Sequence, residues 1–215
     1  MINEFLKRVI SSLILLPFAL VIIIKGSIYF NIFLLVLFLI SSYEWSNISR
    51  NKFYNIYGYL FLIVSFYCVY ELRFNFGSTY LTFIFITIIC VLTDIGGYIF
   101  GKFFKGPKLT KYSPNKTYSG LIGSFLLPMC FIPFSIYYDL YNLDHLLNLI
   151  IFILIISATS QFGDISISYF KRESKVKDTG KIIPGHGGLL DRIDGMLFAF
   201  PIAYLLLLLN FLNIQ

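Results

Sequence analysis

The chain has 215 residues, of which 58% are hydrophobic and only 13% are charged. This balance excludes a soluble globular domain and indicates an integral membrane protein. The formal net charge of +6 is not read as a nucleic-acid signal, because the basic residues lie in loops beside lipid headgroups, where anionic lipid is the expected partner.

Apolar segments recur along the whole chain and are separated by short loops. A bilayer core about 30 Å thick needs roughly 20 apolar residues per helical span, so the pattern predicts an all-α polytopic membrane protein with about seven transmembrane helices. Residues 1–215 form a single membrane domain, and an alternative is that the first two segments make one hairpin that does not fully cross. The predicted spans are Val9–Ile24, Ser27–Tyr43, Tyr57–Leu72, Thr79–Phe100, Gly120–Tyr138, Leu146–Gly163 and Gly195–Leu212.

The distribution of basic residues predicts the orientation, because short cytoplasmic loops retain Lys and Arg. With the N-terminus in the cytoplasm, every Lys and Arg except Lys25 and Arg73 falls on the cytoplasmic face. The first apolar run follows Lys7 and Arg8 without a small-x-small cleavage pattern, so we expect an uncleaved first span.

A polar patch follows the fourth predicted span. Asp94 lies inside an apolar run and therefore requires a partner. Gly96 and Gly97 permit close packing of helices. The lysines of the following loop are read mostly as topogenic, except Lys116, which the compact turn Ser113–Thr117 makes the best single phosphate ligand.

The sixth predicted span carries a polar stripe towards its end. Ser160, Asp164, Ser168 and then Lys171 or Arg172 recur at three- and four-residue steps along one helical face. An ionisable residue inside a span is costly without a partner, water or metal, so Asp164 is a functional candidate. The alternative is that Asp164 merely pairs with Arg172 or with a helix-capping group.

The connection to the last span is rich in glycine. Pro184 and the glycines that follow it impose a tight connection whose backbone amides can approach a phosphate. Asp191 and Asp194 then share a face at the start of the last helix, with Arg192 pointing elsewhere. Helix capping is the ordinary explanation for such residues, but carboxylates beside a glycine loop also suit Mg²⁺. Carboxylates mixed with Lys and Arg here predict phosphoryl or nucleotidyl transfer.

These motifs resemble the signature of the bacterial phosphatidate cytidylyltransferases. That signature reads S-x-x-K-R-x4-K-D-x-[GSA]-x2-[LIF]-[PGS]-x-H-G-G-x-x-D-R-x-D. Its positions are filled here by Ser168, Lys171, Arg172, Lys177, Asp178, Gly180, Ile183, Pro184, His186, Gly187, Gly188, Asp191, Arg192 and Asp194.

The earlier patch is similar to a second family segment, D-x-x-[AG]-Y-x-x-G-[KR] followed by S-P-x-K-T. Its positions are filled by Asp94, Gly97, Tyr98, Gly101, Lys102, Ser113, Pro114, Lys116 and Thr117. The resemblance covers a catalytic region of about residues 94–195. One departure is Ser119, where the family commonly has an acidic residue.

The resemblance implies transfer of CMP from CTP to phosphatidate in a bacterial cytoplasmic (inner) membrane, with the active site at the cytoplasmic face. It implies Mg²⁺ on Asp164 and Asp191, room for a second cation, membrane lipids as surroundings, no nucleic-acid partner and a homodimer. The residues expected to act in catalysis are Asp164, Lys171, Arg172, Lys177, Asp178, His186, Asp191 and Arg192. Those expected to bind substrate are Asp94, Ser113, Lys116, Thr117, Ser168, Gly187, Gly188 and Asp194.

Two other functions compete with this interpretation. A transporter or channel for an anionic solute would use Asp94 and Asp164 to line a polar pathway, although the basic loops cluster on one face and no inverted halves are evident. An inactive homologue that only binds lipid or partners is suggested by Ser119 alone. His186 is expected either to donate a hydrogen bond to pyrophosphate or to serve only the structure of its loop.

Overall fold

A computed structural model describes residues 4–75, 80–111, 113, 115–137, 146–183, 185 and 187–212. Its regular structure consists of helices and two isolated bridges, Lys108 with Thr117 and Ile183 with Gly187. The all-α prediction is therefore confirmed for the described part of the chain. The helices are α1 (Glu4–Lys25), α2 (Ser27–Ser49), α3 (Asn55–Phe74), α4 (Leu81–Phe104), α5 (Tyr118–Met129), α6 (Ile132–Tyr137), α7 (Leu146–Glu173) and α8 (Leu190–Leu208).

Helices α2, α3, α4 and α7 are each long and apolar enough to cross a membrane. Two apolar helical stretches, Leu13–Lys25 and Tyr118–Met129, are shorter. Helix α8 differs because its first turns carry Asp191, Arg192 and Asp194. The chain is thus a helical membrane protein, while the count of seven spans and the cytoplasmic position of the N-terminus stay predictions.

The fifth predicted span, Gly120–Tyr138, is wrong as a single helix. The structure divides this segment into α5 and α6, which are separated at Cys130 and Phe131. Pro128 lies at the end of α5, and Pro133 near the start of α6 has no N–H to continue the hydrogen-bond ladder. Tyr138 lies outside the described residues, as does Thr79, the predicted start of the fourth span.

The helices near the candidate site are longer than the predicted spans. α7 continues beyond Gly163 to Glu173, and α8 begins at Leu190 rather than Gly195. α2 likewise continues beyond Tyr43 to Ser49. The predicted spans end where the sequence becomes polar, but the helices continue through these polar residues. The polar residues near the site therefore lie on the helices and not in loops.

The central core is formed by large apolar side chains from α3, α4, α7 and α8. They pack with almost no exposed surface, and close van der Waals packing of this kind holds helices together inside a membrane. Fully buried members of this core are Leu72, Ile86, Ile89, Phe152, Ile153 and Ile156.

Three connections meet at one end of the bundle. Lys52, between α2 and α3, pairs with Glu173 at the end of α7 at 3.3 Å. Ser174 donates a hydrogen bond to the carbonyl of Ile48, and Lys116, before α5, contacts Asp164 on α7. Three of the basic segments that were predicted to share one face therefore lie at the same end of the bundle.

Arg73 lies at the opposite end of the bundle, where it binds the carbonyl groups at the end of α1, next to the junction with α2. Its Nε donates to the carbonyl of Ile23 at 2.8 Å, and its Nη2 donates to that of Ile24 at 3.3 Å. The guanidinium also packs over the rings of Phe30 and Phe74. Arg73 is thus bound into the fold in addition to its predicted topogenic role.

Glycines allow α4 and α5 to approach closely, which fixes the turn between them. A Cβ atom added at Gly96 would collide with the carbonyl of Gly123, and one added at Gly120 would lie 2.6 Å from the carbonyl oxygen of Gly97. By contrast, a Cβ atom at Gly97 would meet its nearest neighbour at 3.7 Å, an ordinary contact. The predicted close packing is therefore confirmed at Gly96.

We predict that Gly96→Ala lowers the free energy of unfolding by about 1–3 kcal/mol, because the added methyl group overpacks the α4–α5 contact. Gly97→Ala is the matched control, since its methyl group fits. Thermal unfolding of both variants in the same detergent measures the difference. Equal stability of the two variants would contradict the close approach of α4 and α5.

Candidate active site

A cavity of about 490 Å³ opens beside the α4–α5 connection. It lies among the ends of α4, α5, α7 and α8. Its described lining residues are Asp94, Gly97, Tyr98, Leu109, Ser113, Asn115, Lys116, Thr117, Gly120, Leu121, Gln161, Asp164, Asp191, Arg192 and Asp194.

The α4–α5 connection folds back on itself and presents Lys116 to the cavity. The N–H of Leu109 donates to the carbonyl of Lys116 at 2.8 Å, and the N–H of Tyr118 donates to that of Pro107 at 3.2 Å. The turn is closed by the N–H of Lys116, which donates to the carbonyl of Ser113 at 3.1 Å. A short antiparallel connection therefore sets the direction of Lys116.

Thr117 and Ser119 stabilise the start of α5. The Thr117 side chain is the N-cap and accepts a hydrogen bond from the N–H of Gly120 at 3.1 Å. Ser119 donates to the carbonyl of Lys105 and lies 3.0 Å from the Thr117 hydroxyl. Ser119 is not among the described residues that line the cavity, so the departure from the family pattern falls on the turn rather than on the cavity wall.

Asp164 is paired with Lys116. The Lys116 ammonium lies 2.5 Å from the Asp164 carboxylate, and it also donates to Gln161 Oε1 at 3.0 Å. Ser168 donates a longer hydrogen bond of 3.4 Å to Asp164 one helical turn away. Arg172 donates to the carbonyl of Val176 at 3.3 Å, and the basic partner that the structure gives Asp164 is Lys116.

Asp191 connects the α7–α8 loop to α7. Its Oδ1 atom accepts from the Lys171 ammonium at 2.7 Å, and its Oδ2 atom accepts from the backbone N–H groups of Thr179 at 2.8 Å and Gly188 at 3.2 Å. The Asp191 side chain is only 7% exposed and that of Lys171 12%. Asp191 therefore has donors on both oxygens, and it acts as an anchor of the loop.

Glu44 on α2 is a buried residue of this region that the sequence analysis missed, as it also missed Gln161, which lines the cavity and accepts from Lys116. Glu44 is completely buried, and its carboxylate accepts hydrogen bonds from the Thr179 hydroxyl and from the N–H groups of Leu189 and Leu190, all within 2.9 Å. A signal was present, since an acidic residue follows directly on an apolar run. The predicted span ended at Tyr43, so Glu44 was assigned to a loop.

The predicted orientation of Arg192 at the start of α8 is wrong. It was expected to point away from Asp191 and Asp194, but all three residues line the same cavity. Asp194 is buried, with one carboxylate oxygen accepting from the N–H of Gly195 at 2.8 Å. Both signs of charge therefore meet at the first turns of α8.

The structure brings together half of the predicted site residues at the cavity and places several others behind it. Ser168 and Lys171 contact cavity-lining carboxylates, and Gly188 donates to Asp191. Arg172, Lys177 and Asp178 are exposed and are not among the described residues of the cavity wall. A Cβ atom added at Gly187 would lie 3.3 Å from Asp191 Oδ2 and 3.5 Å from the Cβ atom of Asp178. His186 lies outside the described residues.

The donor set suits a cation that substrate phosphates help to bind. Within the described part of the chain, no cluster of three or more His, Cys, Asp or Glu side chains is arranged to hold a metal ion. Four Asp residues nevertheless line the cavity with two basic residues, and Mg²⁺ commonly uses one or two carboxylates plus phosphate oxygens. Such a wall admits a polyphosphate only when cations offset its negative charge.

Comparison with known proteins gives a consistent result. The sequence model of the cytidylyltransferase family matches residues 60–210. The phosphatidate cytidylyltransferase of Rickettsia bellii is 32% identical over 205 residues, which cover 92% of this chain and 88% of that protein. That of Staphylococcus saprophyticus is 36% identical over 179 residues, which cover 77% of this chain and 65% of that protein. The match therefore spans slightly less than two thirds of the staphylococcal protein.

Proposed function

This chain belongs to the cytidylyltransferase family, and on that premise we propose that it is a phosphatidate cytidylyltransferase. It transfers CMP from CTP to phosphatidate and produces CDP-diacylglycerol and pyrophosphate. The names of relatives that match most of the chain support this activity. We further propose that the reaction takes place at the cytoplasmic face of a bacterial inner membrane, within a homodimer.

The observation that carries the proposal is the Lys116–Asp164 pair in the cavity wall. A cation suited to phosphate lies 2.5 Å from a carboxylate suited to a metal ion. These two groups come from segments that are distant in sequence, the α4–α5 connection and α7, and both line one cavity. A nucleotide triphosphate with its cation needs both kinds of group at one place.

The proposed reaction requires no covalent intermediate on the protein. A phosphate oxygen of phosphatidate attacks the α-phosphorus of CTP, the bond from this phosphorus to the bridging oxygen breaks, and pyrophosphate leaves with that oxygen. Catalysis then consists of holding two anionic reactants in line and stabilising the charge that develops on them. Lys116 and Arg192 supply positive charge from the cavity wall.

We propose that Asp164 is a ligand of Mg²⁺ and that Asp191 is a second ligand, as the sequence predicted. When bound, the ion neutralises phosphate charge and polarises the phosphorus centre. Asp164 lines the cavity, and in this proposal its contact with the Lys116 ammonium is replaced by a contact with the ion. Asp191 has both oxygens occupied by Lys171 and by loop N–H groups, so it contacts the ion only if one of these donors moves.

The experiment that tests the activity is conversion of labelled CTP to a lipid-extractable product by the purified protein. We expect CDP-diacylglycerol to form only when phosphatidate and Mg²⁺ are both present. Reconstituted bilayers and detergent micelles should both support the reaction. No product in either, from protein with an intact thermal transition, would contradict the proposed activity.

Substitution of the two carboxylates separates the metal role from the loop role. We predict that Asp164→Asn lowers turnover by about 10²-fold or more while the loop stays ordered, because it removes charge from the cavity only. Asp191→Asn should lower turnover and also increase tryptic cleavage in the α7–α8 loop, since Lys171 loses its partner. Turnover close to that of the parent protein in both variants would contradict the metal assignment.

Lys116 and Lys102 provide a matched pair for the phosphate role. Lys116 contacts Asp164 in the cavity, whereas Lys102 lies near Tyr98, with its ammonium 3.4 Å from the phenol oxygen. We predict that Lys116→Gln lowers kcat/KM for CTP by about 10²-fold and that Lys102→Gln leaves it near the parental value. A larger loss at Lys102 than at Lys116 would exclude Lys116 as the phosphate ligand.

A further inference from the structure

Glu44 is a carboxylate buried in the helix bundle without a basic partner among its described contacts. Its exposed fraction is 0%. A buried carboxylate is costly unless hydrogen bonds satisfy it. Glu44 meets this requirement with three donors, which are the Thr179 hydroxyl at 2.8 Å and the N–H groups of Leu189 at 2.9 Å and Leu190 at 2.8 Å.

Two of these donors belong to the start of α8. The first N–H groups of a helix have no partner within it, and they attract anions such as phosphate. Here the carboxylate of Glu44 occupies the N–H groups of Leu189 and Leu190. The anion at the start of α8 is therefore a side chain of the protein itself.

Glu44 also accounts for two glycines of the loop. A Cβ atom added at Gly180 would lie 2.5 Å from Glu44 Oε1, and one added at Gly188 would lie 2.6 Å from Glu44 Oε2. At Gly188 the added atom would also collide with the hydroxyl of Thr179. The lack of side chains at these positions lets the loop fold tightly around the carboxylate.

Thr179 connects Glu44 to the cavity. Its hydroxyl donates to Glu44, while its backbone N–H donates to Asp191 Oδ2 at 2.8 Å. Asp191 in turn accepts from Lys171 and lines the cavity. A continuous set of hydrogen bonds thus runs from α2 through the loop to the cavity wall and to α7.

We propose that Glu44 is a positioning residue that holds the α7–α8 loop against α8 and so places Asp191 and Lys171 for cytidylyl transfer. Its role in turnover rests on the proposed function, but its role in ordering the loop does not. Glu44 touches neither the cavity nor, in this proposal, the reacting groups. It acts through Thr179 and the first N–H groups of α8.

The test substitutes Glu44→Gln, which keeps the size of the side chain but replaces one acceptor with an NH₂ group that faces a donor. Lys175, Lys177 and Lys181 are exposed in the loop, so limited digestion with trypsin reports on loop order without any substrate. The matched control is Glu71→Gln, because Glu71 is on α3 near the other end of the bundle and its described side-chain hydrogen bonds go to Asn75 and Tyr67, each one helical turn away.

We expect Glu44→Gln to be cut faster in the loop and to lose about 10–100-fold in turnover, the range typical of residues that orient a ligand. KM for CTP should change much less than kcat, and Glu71→Gln should match the parent protein in all three measurements. A parental digestion rate for Glu44→Gln would overturn the proposal. Faster digestion with unchanged turnover would overturn the link to catalysis.

Thr179→Val keeps the test decisive if Glu44→Gln does not fold, because it removes one hydroxyl and leaves the carboxylate in place. We expect faster digestion of the loop here too, and a smaller loss of turnover. In the double variant, the two effects on turnover should be less than additive, since the two side chains share one hydrogen bond. If the parent protein shows no cytidylyl transfer but Glu44→Gln is still digested faster than the parent, the proposed function is rejected. The role of Glu44 in ordering the loop is then supported.

Discussion

Three carboxylates that enter this apolar bundle are each matched by their own donors, and these pairings determine how the connections fold around the site. Asp164 is matched by Lys116, Asp191 by Lys171 and two backbone N–H groups, and Glu44 by a hydroxyl and the start of α8. Each match joins segments that are distant in sequence. The charges therefore fix how the connections fold over the helix ends, in addition to any chemistry they perform.

The three pairings differ in their exposure to the cavity, and this difference separates their roles. Glu44 is fully buried and lies behind the α7–α8 loop, while Asp191 is nearly buried within the wall. Asp164 is half-buried and its partner Lys116 lines the cavity. In our account, the inner pairings hold the site in shape, and the Lys116–Asp164 pair is the one that opens to admit a nucleotide and its cation.

The sequence predicted the helical membrane class and the residues of the two motifs because hydropathy and spacing are local properties. Asp164, Asp191 and Asp194 do line one cavity with Lys116. The break between α5 and α6 at Cys130 and Phe131 was missed because the apolar run continues through it. Glu44 was missed because its partners, Thr179 and Leu189, are far along the chain. Contacts of this range depend on how helices pack, which periodicity alone does not determine.

The central claim is that the triphosphate of CTP binds in the cavity between Lys116 and Asp164. The most direct measurement is an experimental structure of the protein with a non-hydrolysable CTP analogue and Mg²⁺. Our account predicts phosphate oxygens within hydrogen-bond distance of Lys116, a cation beside Asp164, and the Glu44 hydrogen bonds unchanged. Nucleotide bound at another surface, with the Lys116–Asp164 pair still closed, would contradict it.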